Sequence, residues 1–118
     1  MHPKAQAALR VITSTFHEDL TLSRMAKDLQ LSKSRFSHLL STEVGMSPMK
    51  MVRMLRLQKA AVLLRETLLS IKEIAATIGY KQSCHFMRDF KKVYGTTPSQ
   101  YRLSNSNVAH MQDEPSIQ

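Results

Sequence analysis

The chain has 118 residues, with 17 Lys+Arg against 9 Asp+Glu and a formal net charge of +8. That length holds one compact unit or two very small ones, and the basic excess favours a polyanion such as nucleic acid or an acidic membrane surface. A single cysteine, Cys84, excludes an internal disulfide and a cysteine-rich zinc site, and no apolar run reaches the roughly 18 residues of a membrane span.

Three glycines and four prolines leave little room for hairpins, and the apolar spacing is helical almost throughout, so the fold is expected to be all-α with about seven helices. The first helix is predicted over roughly Lys4 to Phe16, burying Ala8, Val11, Ile12 and Phe16. Thr21 is placed to cap a short second helix. Ser32 is placed to cap a third, whose apolar Phe36, Leu39 and Leu40 follow i, i+3, i+4 spacing. Gly45 supplies the left-handed position that ends it. Ser47-Pro48 then reads as an N-cap followed by proline at the first helical position. It opens a long helix over Pro48 to Glu66 with no internal breaker.

Ser70-Ile71-Lys72-Glu73 is a capping box that opens a fifth helix, and Gly79 ends it. A sixth helix spans roughly Gln82 to Tyr94 and stops at Gly95. Thr97-Pro98 repeats the Ser47-Pro48 device and opens a last short helix through Tyr101. After Leu103 the chain is polar and without period, and residues 104–118 read as a disordered tail. Within residues 1–103 there are 17 basic against 7 acidic residues, a net +10.

The chain repeats itself. Met25-Ala26, Leu29 and Leu31 recur as Ile74-Ala75, Ile78 and Tyr80, a shift of 49. Phe36, Leu40, Gly45 and Pro48 recur as Phe86, Phe90, Gly95 and Pro98, a shift of 50. The expected organisation is an N-terminal helix-turn-helix subdomain at 1–46, a linker helix at 47–67 and a C-terminal helix-turn-helix subdomain at 68–103. Two such motifs in a very basic chain form the pattern of a protein that reads two neighbouring stretches of DNA groove. A rigid linker of about 19 residues spans about 28 Å, close to the roughly 34 Å between successive major-groove faces.

In such a motif the second helix lies in the groove and presents the face opposite its core stripe. For the first copy that face carries Ser34, Arg35, Ser37 and His38, with Ser41 one turn on. Serine and histidine hydrogen-bond several base edges, and arginine grips guanine O6 and N7 with two bonds. Lys33 and Arg35 also read as ordinary solvated charges. For the second copy the face carries Ser83, Cys84, His85, Met87 and Arg88. Arg88 is the strongest base-contact candidate, whereas Cys84 and Met87 either pack on a thymine methyl or fill gaps against the protein. Ser32, Lys33, Gln82, Lys91, Lys92 and Thr97 are assigned to phosphate rather than base.

Ile71-Lys72-Glu73-Ile74-Ala75 through Gly79-Tyr80, then Phe86, Arg88, Phe90-Lys91-Lys92, Tyr94-Gly95, Thr97-Pro98 and Tyr101-Arg102, resembles the signature of the AraC/XylS family of bacterial transcription regulators. Arg56-Leu57, Ala60 and Leu63-Leu64 fit the same pattern. The resemblance covers about residues 5–103. It implies two helix-turn-helix subdomains joined by a long helix, asymmetric or direct-repeat sites, and activation of transcription through RNA polymerase. By position it places base reading on Ser34, Ser37, His38, Ser83, Cys84, Met87 and Arg88. The chain departs from the family at Gln82, where Asp, Asn or Ser is frequent, and at Cys84 and His85, where Ser or an aromatic is usual.

The expectation is therefore a cytoplasmic, nucleoid-associated, sequence-specific reader of double-stranded DNA. It is expected to be monomeric in this unit, with no cofactor and no metal. A competing reading is a basic interaction module that docks through Met46, Met49, Met51 and Met54, because methionine faces adapt to varied partners. Catalysis has no support: the sequence shows no paired carboxylates, metal-ligand cluster or Gly-rich phosphate loop.

Overall fold

The computed structural model describes residues 3–18 and 22–106. It contains α1 (Pro3–Thr15), α2 (Leu22–Asp28), α3 (Lys33–Val44), α4 (Pro48–Glu66), α5 (Ile71–Thr77), α6 (Ser83–Tyr94) and α7 (Pro98–Asn105), with no strand among the described residues. None of these helices is long and apolar enough to cross a membrane. The chain divides into two compact units between Arg56 and Leu57, inside α4.

In the first unit α1, α2, α3 and the start of α4 enclose Ala8, Ile12, Met25, Ala26, Phe36, Leu40 and Val52. Phe36 is fully buried. Truncating a phenylalanine in such a core costs about 3–5 kcal/mol, a large share of the stability of a unit this small. Val11 and Phe16 are half-buried against this core, Leu39 is half-buried on α3, and Ala5 is buried. The second unit encloses Leu57, Ala60, Ala61, Leu64, Ile74, Ala75, Ile78, Phe86 and Phe90. Around Phe90 the rings of Tyr94, at 4.5 Å, and Tyr101, at 5.3 Å, complete an aromatic cluster. Thus α4 gives Val52 to one core and Leu57, Ala60, Ala61 and Leu64 to the other. That is why its apolar residues cover more than one face.

The internal repeat extends further than the motifs alone. Ala5, Ala8 and Ile12 are the buried residues of α1, and Leu57, Ala60 and Leu64 repeat their spacing on α4 with a shift of 52. Thr15 Oγ1 donates to the Val11 carbonyl at 2.6 Å, and Thr67 Oγ1 donates to the Leu63 carbonyl at 2.7 Å, again 52 residues on. The second half of α4 therefore does for the second unit what α1 does for the first. Arg56 on α4 donates to the Phe16 and Glu18 carbonyls just beyond α1. Arg102 on α7 donates to the Leu64 and Thr67 carbonyls at the end of α4. Each guanidinium donates to carbonyls at or just beyond a helix end, where backbone acceptors run out of intrahelical donors.

The helix ends carry the expected caps. Ser32 Oγ accepts from the Arg35 N–H and Ser47 Oγ from the Lys50 N–H. Ser70 and Glu73 form a reciprocal capping box, as do Thr97 and Gln100. The Ser70 bonds lower the pKa of the exposed Glu73 carboxyl from its ordinary value of 4.5. Gly45 and Gly95 end α3 and α6 at φ 79° and 77°. Thr21, the expected cap of α2, lies outside the described residues. One boundary differs from expectation: α7 runs past Tyr101 to Asn105, and Ser106 is buried. Ser104 and Asn105 therefore belong to α7, and Ser106 holds its C-cap position. The Ser106 N–H bonds to the Arg102 carbonyl, and Asn105 Nδ2 bonds to the Tyr101 carbonyl, so side-chain and backbone groups close one more turn. Residues 107–118 lie outside the described residues.

Candidate nucleic-acid interface

Each unit orients its second motif helix with the same turn. After α2, the Gln30 N–H bonds to the Lys27 carbonyl at 2.9 Å and the Leu31 N–H to the Ala26 carbonyl at 2.9 Å. After α5, the Gly79 N–H bonds to the Ala76 carbonyl at 3.2 Å and the Tyr80 N–H to the Ala75 carbonyl at 2.9 Å. This pair of bonds is the Schellman arrangement, with Gln30 and Gly79 in the left-handed position. Both have positive φ, 57° and 99°. The turn fixes how α3 leaves α2 and how α6 leaves α5, and the buried Phe36, Leu40, Phe86 and Phe90 fix which face turns outward.

On α3 the outward residues are Lys33, Ser34, Arg35, His38 and Ser41, all exposed, with Ser37 half-buried beside them. Arg35, His38, Leu39, Thr42 and Glu43 line a shallow concavity of about 320 Å³ on this helix. Ser32 stands exposed at its start, its oxygen already accepting the cap bond. On α6 the outward residues are Cys84, His85, Met87, Arg88, Lys91 and Lys92. Ser83 is half-buried and lines a second concavity with Tyr80, Lys81, Gln82 and Cys84. Gln82 holds the N-cap position but makes no side-chain cap bond; its Oε1 instead accepts from Cys84 Sγ at 3.7 Å. Thr97 is half-buried, and its oxygen accepts from the Gln100 N–H at 3.2 Å.

The two faces differ electrostatically. The last turn of α3 has no basic residue, whereas that of α6 carries Lys91 and Lys92. These lysines complement the carbonyl end of the helix dipole and also suit a phosphate. Of the four methionines weighed as a docking stripe, Met46, Met51 and Met54 are half-buried, and Met51 packs on the first core. Only Met49 of the four is exposed. They therefore do not form a continuous exposed surface. The described residues contain no cluster of three or more His, Cys, Asp or Glu side chains able to hold a metal ion.

A family model described as a helix-turn-helix domain matches residues 25–104. The chain belongs to the AraC/XylS family. It is 34% identical over 103 residues to an HTH-type transcriptional regulator of Haemophilus influenzae, covering 87% of this chain and 35% of that protein. The chain thus spans about a third of that relative's length. Its fold is similar to the C-terminal domain of AraT, a response regulator from Geobacillus stearothermophilus (TM-score 0.86, 36% identity, 89% of this chain and 88% of that one). It is also similar to an AraC-type DNA-binding-domain regulator from Chromobacterium violaceum (TM-score 0.81, 26% identity, 89% and 94%). The relatives it matches include HTH-type transcriptional regulators.

Two residues beside the outward face of α6 were not singled out as candidates by the sequence. Asp89 Oδ2 accepts from the Tyr80 hydroxyl at 2.9 Å, and Asp89 Oδ1 accepts from Arg88 Nε at 3.4 Å. The available signal was weak: Asp89 is the one acid on α6, and Tyr80 replaces the Leu31 of the first copy.

Proposed function

We propose that the chain reads double-stranded DNA by sequence, laying α3 and α6 in successive major grooves to regulate transcription. The observation that carries this reading is the duplicated turn. The same two backbone bonds shape the turn from α2 to α3 and the turn from α5 to α6, and each second helix offers an outward row of side chains suited to base reading. On α3 these are Ser34, Arg35, Ser37 and His38; on α6 they are Ser83, Cys84, His85, Met87 and Arg88. Ser32, Lys33, Gln82, Lys91, Lys92 and Thr97 flank the rows and supply the phosphate contacts. Membership of the AraC/XylS family supports activation through RNA polymerase as the outcome of binding, with this unit acting as a monomer at the nucleoid.

The test is selection of the purified chain on a random duplex library at about 0.15 M salt. Two unequal motifs about one helical turn apart are expected. A single motif would mean that one copy reads bases and the other grips only phosphate. A folded chain that enriches no motif would overturn the reading.

A further inference from the structure

The two reading helices differ at three linked positions. The second copy has Tyr80, Arg88 and Asp89; the repeat places Leu31, His38 and Leu39 at the matching positions of the first. Where the reading residue is arginine, its two supports are polar and bonded to each other. Where it is histidine, the two matching positions are both leucine. Neighbouring residues on a helix do not face one another, so Arg88 meets Asp89 only by turning its Nε back along the helix surface. Asp89 cannot follow it outward, because the Tyr80 hydroxyl holds its other oxygen. The side chain of Asp89 is 17% exposed and that of Arg88 is 69% exposed, so the fixed partner is the less exposed one.

An ion pair with one partner this exposed adds little to folding stability. Its consequence is geometric. A bond at Nε leaves the two terminal amino groups of the guanidinium as the fork that matches guanine O6 and N7. A long side chain already held in one orientation loses less freedom on binding than a free one. The acid also carries a cost, because a carboxylate beside DNA repels phosphate.

We infer that Asp89, clamped by the Tyr80 hydroxyl, is a positioning residue that aims the Arg88 guanidinium at a single base pair, with guanine as the preferred base. This rests on the DNA-reading function proposed above. Asp89 trades general affinity for discrimination at that one position, and the first copy has no such device.

The test measures binding of the whole chain to its selected duplex and to every single-base-pair variant of that duplex. Wild type, Arg88→Ala, Asp89→Asn, Tyr80→Phe and the Arg88→Ala/Asp89→Asn double variant are compared, with melting curves for each. Arg88→Ala is expected to reduce preference at one base pair by about tenfold or more. Asp89→Asn is expected to reduce preference at the same pair by about threefold to tenfold while equalling or exceeding wild type on random DNA. A merely structural loss would weaken both. Tyr80→Phe, which removes one oxygen from a half-buried ring, is expected to act in the same direction and serves if Asp89→Asn melts early. In the double variant Asp89→Asn should add no further loss at that pair. Unchanged preference in Asp89→Asn or in Tyr80→Phe, or an equal loss with and without Arg88, overturns the inference alone. A folded wild-type chain that selects no motif overturns the functional reading and this inference with it.

Discussion

Gln30 and Gly79 occupy the same position in the two helix-turn-helix turns, and both stand at positive φ. Each N–H closes the same three-residue-back bond, to Lys27 in one turn and Ala76 in the other. Glycine takes this conformation without a Cβ penalty, whereas an L-residue there costs about 1–2 kcal/mol. The first turn therefore carries strain that the second avoids. Gln30→Gly is expected to raise the urea midpoint, by up to about 1 kcal/mol in stability. Gly79→Gln is expected to lower it by about 1–2 kcal/mol. A destabilised Gln30→Gly would show that the glutamine side chain compensates its own backbone.

Arg56 and Arg102 hold helix ends. Each bonds two backbone carbonyls, at 2.6 and 2.7 Å for Arg56 and at 3.1 and 3.3 Å for Arg102. Replacing either with methionine keeps most of the volume and strips the donors. The expected loss is about 1.5–3 kcal/mol of stability in thermal or denaturant melts. Among chains that remain folded, base preference should not change. A change in site ranking at full stability would assign these arginines to the interface instead.

Lys91 and Lys92 are exposed on the last turn of α6. Removing one should weaken binding to all sequences about equally, and should lower the log-log salt slope by about 0.9 if it meets one phosphate. Titrations at several salt concentrations check this. A variant that keeps the full slope but shifts base ranking would make the lysine a base reader.

The Ser70–Glu73 capping box has a pH signature. The backbone and hydroxyl bonds from Ser70 lower the Glu73 pKa below 4.5. A lowered carboxylate pKa contributes stability above its unfolded value, and that contribution is lost as pH falls through the folded value. Glu73→Ala should therefore be less stable than wild type at pH 7, with the gap closing below pH 4.5. A gap independent of pH would mean that helix propensity, not the cap, sets it.

Tyr94 acts at the other limb. Burial, then the neighbouring Tyr101, raise its pKa above the ordinary 10.0, against a smaller opposing effect of Arg65. Stability linked to its neutral form is fully present below 10.0 and is lost as pH rises through the raised value. Tyr94→Phe should blunt the alkaline fall of the melting temperature above pH 10. An identical fall in both proteins would place the alkaline sensitivity elsewhere.

The caps and stops were the most readable elements, because they are local. Ser32, Ser47, Ser70 and Thr97 each bond a backbone N–H three residues away, and such reach is written in short spacings. The outward faces of α3 and α6 followed from the spacing of Phe36 and Leu40, and of Phe86 and Phe90. The Gln30 turn was harder to see, because nothing about glutamine announces a left-handed residue. The split of α4 between Val52 on one core and Leu57 on the other was also hard to read, because a helix that serves two cores lacks a single apolar face.

By itself the sequence determined the helix boundaries other than the end of α7, the duplication and which side chains of α3 and α6 face outward. Hydrogen bonds over three or four residues and a 3.6-residue period set all of these. Only the tertiary structure decided that the end of α4 replays α1, that Arg56 and Arg102 close helix ends 38 to 40 and 35 to 38 residues away, and that Tyr80 grips Asp89 beside Arg88. Those relations depend on which side chains meet when separate helices pack. The period of any one helix does not contain that information.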